Sequence, residues 1–515
     1  MVQPIREDSD PIRLKFGGGI NSRASEEDID ERECTDGQNF ALDPGNFQFR
    51  PRKPFDKIGT TLNSSAEIRG GGSLLKSDGT VAAFIQAGDQ VYELDANDNF
   101  SQIASVSSGA KLRGRLEHQW QLSNKVIITD LSLTDPVKEW DGSTFQNVTF
   151  TDECDNSFGT FKARYCYVEN ERAVFANIDD NSSPFPHLIV GSKRGDYTNI
   201  TVSNRPSGAI SEEDPFFIVQ PDNFYINGIN ELFGQIIVSS RRGSMFKLTG
   251  SNAQDFAMSI LAVRNSADGD EPMTVTSTDI VYGREGAIES VRATDRFGDV
   301  EANDLSSVIK DDIAGYDDWT LVHNKRLNRT YCYSDSTSEF WVMYHDLKQF
   351  NINLSPWSKW ATAHSLQMNP TFMMNMLSPH DGKEYVFMGD SSGNVYRLEG
   401  TTGGGDGGDT DINTNRTSGL FSAIAEGKAS DIQGYVRYKR KASTTTDLVM
   451  KWGFKGEHIM DNSVTVTVPN DDDDEISRQR FIVPGAGTDF QITTTVDSSN
   501  DFTINEIGFR FSEGT

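Results

Sequence analysis

The sequence predicts an all-β chain: a β-propeller-like platform of about six or seven blades, with an extended N-terminal arm before it and a small C-terminal β-domain after it. Short apolar and aromatic runs separated by Gly, Asp, Asn and Ser dominate from about residue 60 onward, the pattern of strands joined by tight turns. Helix signals are few: residues 25–28 can cap one acidic turn running to Arg32, and Leu305, Val308, Ile309 and Ile313 fall on one helical face. The third observation is a repeat. Residues 236–250 and 386–400 each read as a buried strand, a polar turn closed by Gly, and a second strand ending in a base and Leu. Gly243, Leu248 and Gly250 match Gly393, Leu398 and Gly400 at a constant offset of 150.

Looser copies lie at 83–94, 126–140 and 280–288. The second strands of four copies end at Leu94, Trp140, Leu248 and Leu398, at intervals of 46, 108 and 150. These are near one, two and three multiples of the ~40–50 residues of a propeller blade. The spacing assigns 61–400 to the propeller, with some blades degenerate; another β-sandwich or β-barrel arrangement is the alternative. Residues 1–60 form the arm and connector. Within it, Gly17, Gly18 and Gly19 permit backbone conformations closed to other residues. One basic island stands in an acidic background, Arg50-Pro-Arg-Lys-Pro-Phe-Asp-Lys57. Arg50, Arg52 and Lys53 read either as a clamp on an acidic neighbouring subunit or on phosphates, or as a Pro-stiffened surface arm. Trp357 and Trp360, following Pro356 at a strand edge, read as packing between blades, with sugar binding as the alternative. The glycines at 403–408 mark a linker, and 401–515 holds the C-terminal strands, interrupted by five acids at 471–475 that read as an exposed turn.

The chain carries 48 Lys plus Arg against 76 Asp plus Glu, a net charge of −28. A surface of that balance excludes a general nucleic-acid-coating protein, which needs clustered bases to displace counterions. The 31 Phe, 14 Tyr and 7 Trp are too many for a disordered acidic chain. No run approaches the ~18–20 apolar residues of a membrane span, and the opening residues lack the apolar core of a secretory signal, so a soluble chain made in the cytosol is expected, with no membrane insertion. Cys34, Cys154, Cys166 and Cys332 form no C-x-x-C pair and read as reduced, mostly buried thiols.

No sequence-local catalytic motif is present: no G-x-S-x-G, no H-E-x-x-H, and no phosphate-cradling loop with its Lys. The seven histidines are scattered. Asp409, Asp411, Asn413 and Asn415 have the alternate spacing of a calcium loop, but Thr414 and Leu420 stand where Gly and a bidentate Glu belong. Residues 77–80 read as a plain Asp-Gly hairpin. Catalytic, cofactor-binding and metal residues are therefore assigned as none, and no cofactor is expected. A carboxylate pair distributed over distant positions stays open, since glycoside hydrolysis needs no local motif.

The string Phe16-Gly-Gly-Gly-Ile-Asn21, followed by Ala24, Ile29, Glu33, Gly37-Gln-Asn-Phe40 and Arg50-Pro-Arg-Lys-Pro-Phe55, resembles the opening of tail hub or nozzle proteins of short-tailed bacteriophages, also called DNA stabilization proteins. So do Asn328-Arg-Thr-Tyr-Cys-Tyr333, the run from Asn353 to Trp360, and the closing stretch from Asp381 to Leu398. The resemblance covers most of residues 12–400 and is weak beyond. It implies a non-enzymatic structural virion protein of the tail, synthesised in the host cytoplasm. In that setting six copies ring a channel below the portal and the head–tail adaptor ring, near tail fibres or spikes. They retain packaged double-stranded DNA and conduct it during ejection without sequence-specific binding.

Two other classes compete: a propeller-type glycan depolymerase, with an acid pair and aromatics in a central pocket, and a receptor-binding spike or fibre. Under the tail-hub expectation the acid excess suits a bore through which DNA slides, with Gly17–Gly19, Arg50, Arg52 and Lys53 held at subunit contacts.

Overall fold

The computed structural model describes residues 12–513 except 15, 26–27, 31, 44–47, 152–160, 182, 203–209, 251–252, 263–266, 294–299, 335–338, 350–353, 362–369, 400–412, 419–420, 423–428, 441–445, 455–461, 469–476, 484–488 and 498–501. Strands dominate it, and they fall into seven propeller blades and a two-sheet sandwich. Blade one comprises Ile68–Leu75, Val81–Ala87, Gln90–Leu94 and Phe100–Ser105. Blade two is built on Leu112–Gly114, Lys125–Asp130, Lys138–Trp140 and Phe145–Asn147, and blade three on Lys162–Glu169, Arg172–Asp179, Pro184–Gly191 and Phe216–Val219. Blades four, five and six span Ile226 to Ala262, Met273 to Asp304 and Trp319 to Ala361 as antiparallel four-stranded sheets. From blade three to blade seven the first strand of each blade lies beside that of the next; Lys162–Glu169 of blade three packs on Lys125–Asp130 of blade two, and the first strand of blade seven, Pro370–Leu377, returns beside Ile68–Leu75.

All five sequence copies occupy one structural position, the hairpin of the second and third strands: Val81–Ala87 with Gln90–Leu94, Lys125–Asp130 with Lys138–Trp140, Gln235–Ser240 with Met245–Thr249, Asp279–Arg284 with Ala287–Ala293, and Glu384–Asp390 with Val395–Arg397. The Gly that closes the turn in the last copy, Gly393, has φ +80, a conformation that favours glycine. The Asp78–Gly79 turn is the plain hairpin expected: the Asp78 carboxylate accepts from the Thr80 amide at 2.8 Å and hydroxyl at 2.6 Å.

The ring closes through the N-terminal region. Blade seven has three strands of its own, and its fourth is Asp56–Ile58, paired antiparallel with Val395–Arg397. Arg397 is buried beside Asp56 (3.7 Å) and Asp98 (3.6 Å), so the closure is charged as well as hydrogen-bonded. Across the seam to blade one, Thr371 donates its hydroxyl to the Ile68 carbonyl at 2.7 Å, and the Leu377 amide bonds the Ser73 hydroxyl at 3.0 Å. Blades one and two are fused by parallel pairing of Arg113 with Gly71 and Gly114 with Gly72. That approach requires glycine: a Cβ on Gly70 would stand 2.4 Å from the Leu112 carbonyl oxygen.

The separate N-terminal arm and C-terminal domain expected from the sequence are one body. The strand Cys34–Gln38 pairs with Asn413–Ser418 in one sheet of the sandwich, while Ile12–Leu14 and Gln48–Pro51 both pair with Phe502–Glu513 in the other. An extended segment with a buried face is costly to leave unpaired, and here both chain ends supply each other's ladders. The linker glycines at 403–408, Asp409 and Asp411 of the calcium-like spacing, and the acids at 471–475 lie outside the described residues; Asn413 and Asn415 are on a sandwich strand. Three cysteines, Cys34, Cys166 and Cys332, are free and buried, and Cys154 falls outside. Lys310–Ile313 is a single helical turn that buries Ile309 and Ile313.

One hydrophobic core runs through propeller and sandwich. It contains Phe16, Ile20, Phe40 and Phe55 from the N-terminal region, Trp319, Trp341, Trp357 and Trp360 from blade six, and Val436, Trp452, Ile507 and Phe509 from the sandwich. Each fully buried side chain of this size contributes roughly 1.5–3 kcal/mol, so the two modules are held by the same term that stabilises each. Gly19 sits at the tightest point, where a Cβ would fall within 3 Å of three Trp357 backbone atoms. Gly19→Ala is expected to lower the unfolding free energy by about 1–3 kcal/mol. Gly315→Ala, with nothing within 4 Å of the added carbon, should stay within ~0.5 kcal/mol of wild type in the same urea titration.

Candidate functional site

Two places concentrate polar chemistry: the seam where residues 16–55 meet blade six, and the central cavity of the propeller. At the seam, the Gly18 amide donates to the Arg32 carbonyl (2.9 Å), the Gly19 amide to Ser355 (2.7 Å) and the Ile20 amide to Trp357 (2.9 Å). Glu33 is buried among these strands and accepts from Asn21 Nδ2 at 2.8 Å and from the Ser355 amide. Burial pushes its pKa up, against the lowering effect of those hydrogen bonds.

Asn39 organises the next layer from a left-handed backbone, φ +58. Its side-chain oxygen accepts from Arg52 Nε at 2.9 Å and from the Ala361 amide at 3.0 Å. Arg52 also donates to the carbonyls of Lys53 (3.0 Å) and Ala361 (3.1 Å), and its guanidinium lies 3.9 Å from the Phe55 ring centroid.

Of the residues expected at subunit contacts, Gly17, Gly18, Gly19 and Arg52 are buried inside their own chain, Arg50 is half-buried on a strand, and Lys53 alone is exposed. The sequence shows a basic island but not that Arg52 has acceptors waiting 300 residues away. Trp357 and Trp360 are fully buried on the outer strand of blade six. Trp357 donates Nε1–H to the Leu305 carbonyl at the end of blade five (2.8 Å), and Trp360 donates its own to Phe40 (3.3 Å).

Blades six and seven are joined by residues of one resemblance phrase and the residue that follows another. Arg329 and Tyr331 both donate to the carboxylate of Glu399, which follows the closing phrase. Arg329 also lies 4.4 Å over the Tyr344 ring. This is a charge-assisted, buried arrangement, in which removal of either partner strands the other.

The central cavity holds about 140 Å³ and takes its walls from blades two to seven. It is smaller than the ~300–1,000 Å³ of pockets for drug-sized ligands. On one side Glu271 accepts from Arg113 at 2.7 Å and from Arg115. Burial opposes its ionisation, but the two guanidinium groups outweigh burial and hold its pKa down at about 2. The lining also carries Glu117, Glu231, Glu384, Tyr167 and Lys325, and Tyr167 donates its hydroxyl to Glu231 at 3.3 Å. Burial raises Glu384, with Lys325 opposing and Glu117 adding; burial and the charge of Glu231 raise neighbouring Glu169. The cavity is thus electronegative apart from its Arg–Glu–Arg clasp. Among the described residues no group of three or more His, Cys, Asp or Glu side chains converges as a metal site.

The sequence reading missed this cluster because blades two, four, five and seven each contribute a single acid, Glu117, Glu231, Glu271 and Glu384, from positions far apart in the chain. His118, beside the clasp, is buried with Nδ1 3.2 Å from the Ile127 carbonyl. Burial and then Arg115 lower its pKa to about 3.

Comparison with family models and with curated proteins gives no match. Among solved structures, virginiamycin B lyase from Staphylococcus aureus aligns with 67% of this chain and 98% of its own at 8% identity, with a TM-score of 0.42. PorZ of Porphyromonas gingivalis, a surface component of the type-IX secretion system, aligns with 73% of this chain and 44% of its own at 10% identity and a TM-score of 0.37. Likenesses of this degree assign no function.

Glu271→Gln should destabilise the chain by about 3–5 kcal/mol, because it leaves two guanidinium groups without their carboxylate. The folded pKa of Glu271 lies below the ordinary 4.5. Its contribution is therefore complete above about 4.5 and is lost as the pH falls toward 2. Urea titrations of both forms between pH 6 and 3 should converge as the pH drops.

Proposed function

We propose that this chain is a structural protein of a short-tailed bacteriophage tail, forming a ring-shaped hub or nozzle that retains packaged DNA and conducts it during ejection. The observation that carries the reading is where the resemblance phrases lie. Phe16–Asn21, Glu33, Asn39, Arg52, Phe55 and Trp357 fasten sandwich to propeller, and Arg329 and Tyr331 fasten blade six to the residue after blade seven. These residues build a rigid body and line no reaction centre. A platform that withstands packed DNA needs such fastening more than it needs a pocket.

The acid excess fits a conduit as well. A polyanion is held by cationic contacts, and a wall poor in them lets it slide. Lys53, exposed, and Arg50, half-buried, remain candidate subunit contacts, alongside a head–tail adaptor ring and fibres or spikes as neighbours.

One observation favours a second reading, a glycan-degrading propeller: Glu384, which lines the central cavity with Tyr167, is raised by burial, and so is Glu169 near Glu231. Raised carboxyl groups are what a general acid requires. Imaging of intact virions by cryo-electron microscopy separates the two. The tail-hub reading expects a six-fold ring of this chain below the portal with an electronegative bore. A single copy per tail, or a bore lined mainly by Lys and Arg, would overturn it, and host-polysaccharide turnover abolished by Glu384→Gln would replace it.

A further inference from the structure

An exposed basic surface lies in the sandwich, on arginines drawn from three strands distant in sequence. Arg437 pairs in register with Arg478 on one side and Glu506 on the other. Tyr435, two residues earlier, pairs with Arg480 and with Gly508, and Gly508 pairs with Arg13. Residues two apart on a strand share a face and neighbouring strands stand ~4.8 Å apart, so Arg13, Arg437, Arg478 and Arg480 occupy one outward patch around a single acid.

Local contacts hold the patch flat. Tyr435 lies across Gly508, where a Cβ would come within 2.3 Å of its ring, and donates its hydroxyl to Glu506. The Arg478 guanidinium lies 3.9 Å over the Tyr435 ring. Arg13 and Arg437 approach Glu506 at 3.7 and 3.6 Å, and their side chains are 56% and 44% exposed. Ile482, one step along the edge strand, is 69% exposed.

We propose that this arginine face is a docking surface for a carboxylate-rich face of a second copy of this chain. Charge complementarity carries the choice of occupant. Four guanidinium groups against one carboxylate stand on a chain of net charge −28, so any second copy presents an excess of acids. Arginine forks match carboxylates in two-bonded geometry. A bare Ile beside Arg and a covered Tyr is the composition of a protein-binding patch, and an exposed isoleucine offers nothing to a phosphate backbone. A basic patch meeting an acidic one is a head-to-tail contact, the kind that closes into rings. The inference rests on the ring reading above and names the face that makes the contact.

The test is sedimentation of the full chain at about 50 and about 500 mM salt, across which charge screening tightens severalfold. Wild type is expected to self-associate, and less so at high salt. Arg437→Glu with Arg480→Glu should weaken association about tenfold or more. Arg69→Glu with Arg194→Glu changes the net charge equally, from −28 to −32, and should not. Unchanged melting of both double variants excludes misfolding as the cause. If the patch variant forms the same rings as wild type, the assigned face is wrong while the ring reading stands; if wild type stays monomeric at both salts, both fall. Binding of a duplex DNA probe that the patch variant loses, without loss of self-association, would overturn the proposal in favour of a nucleic-acid surface.

Discussion

Everything in this fold depends on how residues 16–58 are threaded. The segment enters beside Trp357 where only a glycine backbone fits, crosses Glu33 and Asn39, and leaves as the outer strand of the last blade. Without Asp56–Ile58 blade seven ends one strand short. Without the strands Cys34–Gln38 and Gln48–Pro51 both sheets of the sandwich lose a ladder. A propeller is circular and so has a seam wherever the chain starts and stops. Here the closing strand is also the tether of a second module, so one stretch of backbone holds both closures.

The consequence is mechanical. A hydrophobic core shared between modules cannot be opened in one without exposing apolar surface in the other. The buried ions at the seams act in the same direction by geometry more than by strength. Arg397 between Asp56 and Asp98, Arg52 on Asn39 and Ala361, and Arg329 on Glu399 each fix a register at which the strands must meet. Displacing Arg397 or Arg329 would leave a charge unpaired in a dry site, and displacing Arg52 would leave buried acceptors without a donor. Such a body is suited to bearing load and poorly suited to large internal motion.

The propeller was legible in the sequence wherever a blade closes its second turn with a short polar loop and Gly, as at Gly393 and Gly243. Blade three escaped because its second and third strands are joined through residues 180–183 without glycine. Asp56–Ile58 escaped because three residues carry no periodicity, and inside the string Arg50 to Lys57 its charge drew the eye outward. The merging of arm and C-terminal domain was invisible for a more general reason: pairing of residue 12 with residue 509 leaves no local trace. The same holds for the two charged sites. The acids of the central cavity are scattered singly along the chain, and the arginines of the sandwich lie on three strands far apart in sequence; both become clusters only when strands are laid side by side. An island read along the sequence, Arg50-Pro-Arg-Lys, turned out to be partly core, whereas the exposed basic face joins Arg437 to Arg13, Arg478 and Arg480 from other strands.

Native-state hydrogen exchange tests most directly whether propeller and sandwich are one body. Amides of Arg329–Ser334 in blade six and of Phe502–Glu513 in the sandwich can be followed through a urea series below the unfolding transition. If the shared core and the threaded segment govern both, the slowest amides of the two strands open with the same free energy and the same dependence on urea. A sandwich that exchanges through an opening of its own, at lower free energy and with a shallower urea dependence while blade six stays protected, would contradict the account.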